Sequence, residues 1–217
     1  MALIKIFQQW GMPKSIRVDN GMPLGDPQRK LIPELALWLT AKNIKVLFNR
    51  PRRPTDNAIV ERMQRTTKNW AEINSAKNIK DLEEKLNRVQ IIQRQKFKVA
   101  RLNNQTRLEA FPNLLDNPRK YQQKEFDIEK AYERLGAWTF VRKVSSAAQL
   151  RLYHEIYHVD KAVKSQYVSI KFNAEDIAWV ITDSKGNYIT TCKAKNLSQK
   201  HIQNLIVGQR NSQKRKT

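Results

Sequence analysis

Two strand-like runs, "SIRVD", in which Ile16 and Val18 alternate with polar residues up to Asp19, and the apolar "IKVLF" ending at Phe48, are separated by far more chain than a hairpin needs. Between them lie the loop "NGMPLGDP", with two Gly and two Pro, and "QRKLIPELALWLTAKN", which sets Leu31, Leu35, Trp38 and Leu39 on one helical face. A strand, a helix and a strand in that order pair in parallel through a crossover, which makes this stretch a piece of an α/β layer. Ahead of it, Met1 to about Gln9 is helix-like, and Gly11, Met12 and Pro13 stop that helix before the first strand. The opening order is therefore helix, strand, helix, strand.

The two prolines of "NRPRRPTDNAIVERMQRTTKNWAEIN" force an extended connection, after which Thr55, Asp56 and Asn57 offer capping side chains for a third helix. At helical spacing Ile59, Met63, Thr66, Trp70 and Ile73 form one stripe, expected to face the core, while Glu61, Arg65, Lys68 and Glu72 lie opposite. Asn78 can cap a fourth helix with Asp81 at its third position, and Leu82, Leu86, Val89, Phe97 and Ala100 would carry a buried stripe to about Arg101. From Asn103 to Lys124 the chain is polar and proline-punctuated, which reads as a strap or linker.

Beyond Gly136 the texture changes to short β-rich runs: "AWTFVRKV", "QLRLYHEIYHV", "QYVSIKFN", "AWVITD" and "YITTCKA". The last pair is joined by "SKGN", with Gly at a position that tolerates positive φ. Five such strands predict a small β-barrel. A short helix from Ser198 to about Val207 precedes a cationic tail expected to be disordered. The expected layout is thus an α/β core over residues 1–75, a helical extension and linker over 76–135, an all-β module over 136–197, and a helix with a basic tail over 198–217.

Lys and Arg number 41 against 20 Asp and Glu, a formal net charge of +21 spread along the whole chain. That balance predicts a polyanionic partner, nucleic acid being the commonest. A lone Cys192 excludes an intrachain disulfide, and with His154, His158 and His201 it does not supply the two or more Cys of a structural Cys/His zinc site. No apolar stretch reaches the length of a signal h-region or a membrane span, so a cytoplasmic or nucleoid-bound protein is expected.

Divalent-metal phosphoryl chemistry needs carboxylates from separate elements, because hard cations want oxygen ligands. Asp19 at a strand end and Glu61 on a helix face meet that need, and Arg65 and Lys68, one and two turns beyond Glu61, form a cationic row suited to phosphates. Each piece also has a plainer reading. Asp-Asn-Gly is a generic turn signal, and Glu61 with Arg65 and Lys68 would pass as salt-bridge companions on a solvated helix.

Two stretches together resemble the DDE transposases and integrases of the ribonuclease H-like fold, in particular bacterial insertion-sequence members. "WGMPKSIRVDNG" is similar to the family's strand ending in its second Asp, and "NRPRRPTDNAIVERMQRTTKNW" to its proline-rich approach and Glu-bearing helix. The resemblance covers residues 1 to about 110, and the region after Gly136 looks like the SH3-like barrel such proteins carry after the core. It implies a partial ribonuclease H-like core of helix-strand-helix-strand-helix order, with Asp19 and Glu61 as catalytic carboxylates and ligands of a two-metal Mg²⁺ or Mn²⁺ site. It further implies Arg52, Arg53, Arg62, Arg65 and Lys68 as contacts to double-stranded DNA of transposon ends and target, in a multimer with other transposase chains.

The sequence departs from the family at Asn57-Ala58, where Asn-Gly is usual, and in the 41 residues between Asp19 and Glu61. The family's first Asp, on a strand upstream of the opening helix, has no counterpart in this chain. The expectation is therefore of a C-terminal fragment that binds DNA with little strand-transfer activity of its own, the full-length form cutting and joining strands. The competing readings are a non-enzymatic DNA-binding protein that modulates transposition, and an RNA- or ribosome-binding protein in which the motifs are coincidental.

Overall fold

In a computed structural model, residues 2–19, 21, 24, 31–50, 53–117 and 119–205 are described. The basic tail lies outside them. The chain divides into two compact units, each discontinuous in sequence: residues 13–48 with the segment from Gln122 onward, and residues 2–12 with 49–121.

The first unit holds the expected crossover. Strand β1 (Ser15–Val18) and strand β2 (Lys45–Phe48) pair in parallel, Ser15 opposite Lys45 and Val18 opposite Phe48, with helix α2 (Glu34–Ala41) between them in sequence. Pro33 sits at the N-cap of α2 with extended backbone, so Leu31 precedes the helix and does not share its face. The helix buries more than one stripe: Leu35, Ala36, Leu37, Trp38, Leu39 and Ala41 are all buried. A helix apolar all round needs cover all round. Helix α6 (Ile128–Gly136) supplies part of it through Ile128, Ala131, Tyr132 and Leu135.

The β-rich segment forms six strands, not the five read from the sequence. Strands β3 (Thr139–Lys143), β6 (Tyr167–Asn173), β7 (Ala178–Thr182) and β8 (Tyr188–Lys193) make one antiparallel sheet in the order β3-β6-β7-β8. The run "QLRLYHEIYHV" is two strands, β4 (Gln149–Leu152) and β5 (Glu155–His158), paired as a separate hairpin. Its turn consists of Tyr153 and His154, at φ 48° and 65°. Asn and Gly normally occupy such a turn, so no local signal marks it. Tertiary contacts hold it instead: the Tyr153 ring stacks on Trp179 at 5.8 Å and its hydroxyl donates to the Ile32 carbonyl at 2.7 Å.

Trp179, fully buried, is the centre of this core. Phe140 and Phe172 meet it edge-on at 5.9 and 5.2 Å. The turn after β7 follows expectation: Asp183 accepts the Lys185 and Asn187 amides at 2.8 Å each, and Gly186 takes φ 88°. Helix α7 (Gln199–Gln203) is capped by Ser198, whose hydroxyl accepts the His201 amide.

The second unit is helical. Helix α1 (Ala2–Trp10) ends at Gly11, whose φ is 76°. A β-carbon on Gly11 would lie 2.5 Å from the Asn117 side chain, which donates to the Trp10 carbonyl at 3.1 Å. Helix α3 (Ala58–Ala71) packs chiefly on helix α4 (Ile79–Ile91). Asn78 caps α4 as expected, accepting from the Asp81 amide at 3.0 Å. The helix does not reach Arg101: it closes in a π-helical turn over Ile92–Lys96, and Phe97 and Ala100 are exposed. Gln93, buried in that turn, donates to Thr67 at 3.1 Å and fixes α4 against α3 through a polar pair. The strap gains a short helix α5 (Arg107–Ala110) with a reciprocal capping box between Thr106 and Glu109.

Among the described residues no helix is long and apolar enough to cross a membrane.

Candidate metal and nucleic-acid site

Asp19 follows β1 directly and is exposed. One carboxylate oxygen accepts the Gly21 amide at 3.2 Å. The side chain therefore does what a turn-forming Asp does, while standing at the carboxyl end of a parallel strand, where open α/β sheets place ligands.

Glu61, in the first turn of α3, is exposed and accepts from the Asn57 amide nitrogen at 3.2 Å. A carboxylate there is favoured by the helix dipole whatever else it does. Arg62, Arg65 and Lys68 are exposed as well. At 3.6 residues per turn Glu61, Arg65 and Lys68 fall within a stripe about 60° wide, with Arg62 flanking it. Among the described residues no ion pair joins Glu61 to Arg65 or Lys68, so the cations are not consumed by the neighbouring carboxylate. Arg53 is exposed, and its amide donates to the Arg50 carbonyl. Arg52 lies outside the described residues.

The helix approach is built differently from the sequence expectation. Asn57 occupies the N-cap without a side-chain capping bond. Asp56 is held by Arg50, which donates through Nη2 at 2.7 Å, Nε at 3.0 Å and its backbone amide at 3.0 Å. That carboxylate, 6% exposed, raises the Arg50 guanidinium above its ordinary pKa by accepting these bonds. Arg50 and Asp56 thus clamp each other ahead of α3, and the Asp56 carboxylate is engaged there instead of capping the helix.

The apolar stripe of α3 does not face a core. Ile59, Met63 and Trp70 are 61%, 45% and 41% exposed. The side that is engaged holds Thr67, hydrogen-bonded to Gln93 in the turn after α4, and the buried Ala71, turned about 80° around the helix from the stripe. At the end of the stripe, Trp70 meets Phe97 edge-on at 5.1 Å. Both sides of α3, cationic and apolar, are consequently open.

Carboxylate oxygens are the donor type that Mg²⁺ or Mn²⁺ takes, with water and phosphate completing the shell. In that chemical sense Asp19 and Glu61 fit the ion. Asp19 belongs to the first unit and Glu61 to the second. Among the described residues no group of three or more His, Cys, Asp or Glu is gathered to hold a metal ion. No family model matches the chain.

Proposed function

We propose that this chain is a DNA-binding protein of DDE transposase or integrase type, acting at the nucleoid in the cytoplasm and assembling with other transposase chains. The observation that carries the proposal is the exposed row of Arg65 and Lys68 in line with Glu61 on one helix, together with Asp19 at the end of a parallel strand. Cations spaced at one-turn intervals along a helix match successive phosphates, and such contacts position a duplex without reading its bases. Arg62 and Arg53 extend the cationic surface, and Arg52 is assigned with them.

In its catalytic version the proposed function is metal-dependent cleavage and joining of DNA strands. Asp19 and Glu61 would hold the divalent ions, which when bound supply a Lewis acid for phosphoryl chemistry. The chain's own cations orient the phosphodiester and offset its charge. The four-stranded sheet with its companion hairpin corresponds in this proposal to the SH3-like barrel, and β1-α2-β2 with α3 to part of a ribonuclease H-like core.

A second reading is favoured by one observation: both carboxylates are already engaged locally, Asp19 by Gly21 and Glu61 by Asn57. Under it the chain binds DNA without chemistry and modulates transposition. Mn²⁺ titration separates the two. For the catalytic lineage, Asp19→Asn and Glu61→Gln should each weaken Mn²⁺ binding while duplex affinity stays equal or rises, since removing an anion eases phosphate approach. Unchanged Mn²⁺ binding in both variants would leave only the non-enzymatic reading.

A further inference from the structure

The outward face of the β3-β6-β7-β8 sheet carries an arrangement that neither carboxylate nor the α3 row requires. The strand register places side chains in cross-sheet rows. Val141, Ser169, Thr182 and Tyr188 make one row, and Thr139, Lys171, Val180 and Thr191 the next. Lys143 stands opposite Tyr167 beyond the first row, and Lys193 opposite Ala178 beyond the second. The β-bulge at Ile181/Thr182 sets Tyr188 opposite Thr182. Its hydroxyl lies 3.2 Å from that of Thr191, which puts the ring on this face.

Two features make the face unusual for a solvated sheet. Tyr167 and Tyr188 are 62% and 66% exposed although aromatic residues elsewhere in the sheet, Phe140, Phe172 and Trp179, are buried on the opposite face. The four strands contain no Asp or Glu. Lys143, Lys171 and Lys193 therefore meet no acid across the ladder; Glu175 and Asp176, in the turn after β6, border the sheet at one end, and Asp183, engaged by Asn187, follows β7 at the other. A concavity of about 610 Å³ lies over it, lined in part by Ser169, Lys171, Asn173, Val180 and Thr182.

We propose that this face binds single-stranded DNA, with Tyr167 and Tyr188 stacking on bases and Lys143, Lys171 and Lys193 contacting the backbone. A duplex hides its base faces, and an acidic peptide would leave the rings without a partner. An unpaired strand offers both a π-face for each ring and a phosphate for each lysine. The rings stand two strands apart, about 10 Å across the sheet, so each takes a separate base. The threonines and serine between them donate to phosphate or sugar oxygens. The face lies wholly within the first unit, and the proposal stands whether or not α3 binds duplex.

Fluorescence anisotropy on the full chain tests it, with a labelled oligothymidylate, an oligouridylate and a blunt duplex at one salt concentration. Removing both rings by Tyr167→Ala with Tyr188→Ala should weaken oligothymidylate binding by roughly tenfold or more, and duplex binding by less than about twofold. The corresponding double Phe variant should retain affinity, because stacking uses the ring and not the hydroxyl. Lys171→Glu, at an exposed site, should also weaken the oligothymidylate. Unchanged oligothymidylate binding in the Ala variant, or equal weakening in the Ala and Phe variants, would overturn the proposal. Tighter binding of the oligouridylate would overturn its assignment to DNA. Charge reversal at Arg65 and Lys68 keeps the two sites apart: it should lower duplex affinity and leave the effect of the tyrosine changes in place.

Discussion

Trp179 is a central side chain of the first unit: three aromatic rings pack against it and no part of it reaches solvent. Trp179→Ala is expected to cost about 3–5 kcal/mol, read as a lowered midpoint in urea. Tyr153, stacked on the same ring, titrates unlike an exposed tyrosine. Burial, and next the charge of Glu34, push its hydroxyl well above the ordinary range. With a folded pKa above the unfolded value of about 10, the native state holds its proton while the unfolded chain releases it, so stability present below that pH declines as pH rises past it. The urea midpoint should fall above about pH 10, and Tyr153→Phe should flatten that fall while lowering the midpoint at neutral pH by removing the bond to Ile32. A pH slope unaltered by Tyr153→Phe would contradict this assignment. Gly11 is constrained from two sides, by φ 76° and by Asn117. Gly11→Ala should destabilise the second unit by about 1–3 kcal/mol, without moving the midpoint of the first if the two melt separately.

At the scale of elements, helix α3 shows where pattern reading stops. Its stripe has the period of a core-facing helix, and periodicity can say which residues share a face but not whether anything covers it. The engaged side of α3 instead carries Thr67, bonded to the buried Gln93, and the buried Ala71, side chains that a hydrophobic pattern does not pick out. Because Ile59 and Met63 are exposed, Ile59→Gln and Met63→Gln should each change stability by no more than about 0.5 kcal/mol. A destabilisation near 2 kcal/mol would mean that the face is covered in solution. The crossover was legible for the converse reason: "SIRVD" and "IKVLF", with an apolar helix between, admit few arrangements, and the parallel register Ser15 to Lys45 is among them. The cap Asn78 and the "SKGN" turn were legible because their chemistry is local. The turn at Tyr153 and His154 was not, since contacts distant in sequence impose it, and the Arg50 clamp on Asp56 was hidden by the same Asp being a good cap in principle. Asp19 and Glu61 could be found from motif spacing, whereas the tyrosine and lysine face follows from strand register, with only the alternation of Tyr167, Ser169 and Lys171 as an outward sign.

For the whole molecule, the two units differ in how much they bury. Large apolar residues of the first unit are packed in α2, α6 and the sheet, while those of α3 and the strap are largely exposed and α4 buries Val89, with Leu82 and Leu86 half-buried. Amides of α3 and α4 should accordingly exchange faster than those of β6 and β7, since opening free energy follows buried apolar contact. Uniformly high protection across both units would contradict that difference. Residues 1–75 should not exchange as one block, because β1, α2 and β2 belong to the first unit and α1 and α3 to the second. The net charge of +21 makes some affinity for any polyanion unavoidable, so binding alone decides nothing about where DNA sits. Arg65 and Lys68 are the residues proposed to engage duplex phosphates, and the salt dependence of duplex affinity tests that most directly. Replacing both by Gln should reduce the slope of log affinity against log salt by about 2, roughly one for each phosphate no longer neutralised, with similar weakening on unrelated sequences. A slope unchanged by the double substitution would place the duplex elsewhere on the protein and contradict the proposal.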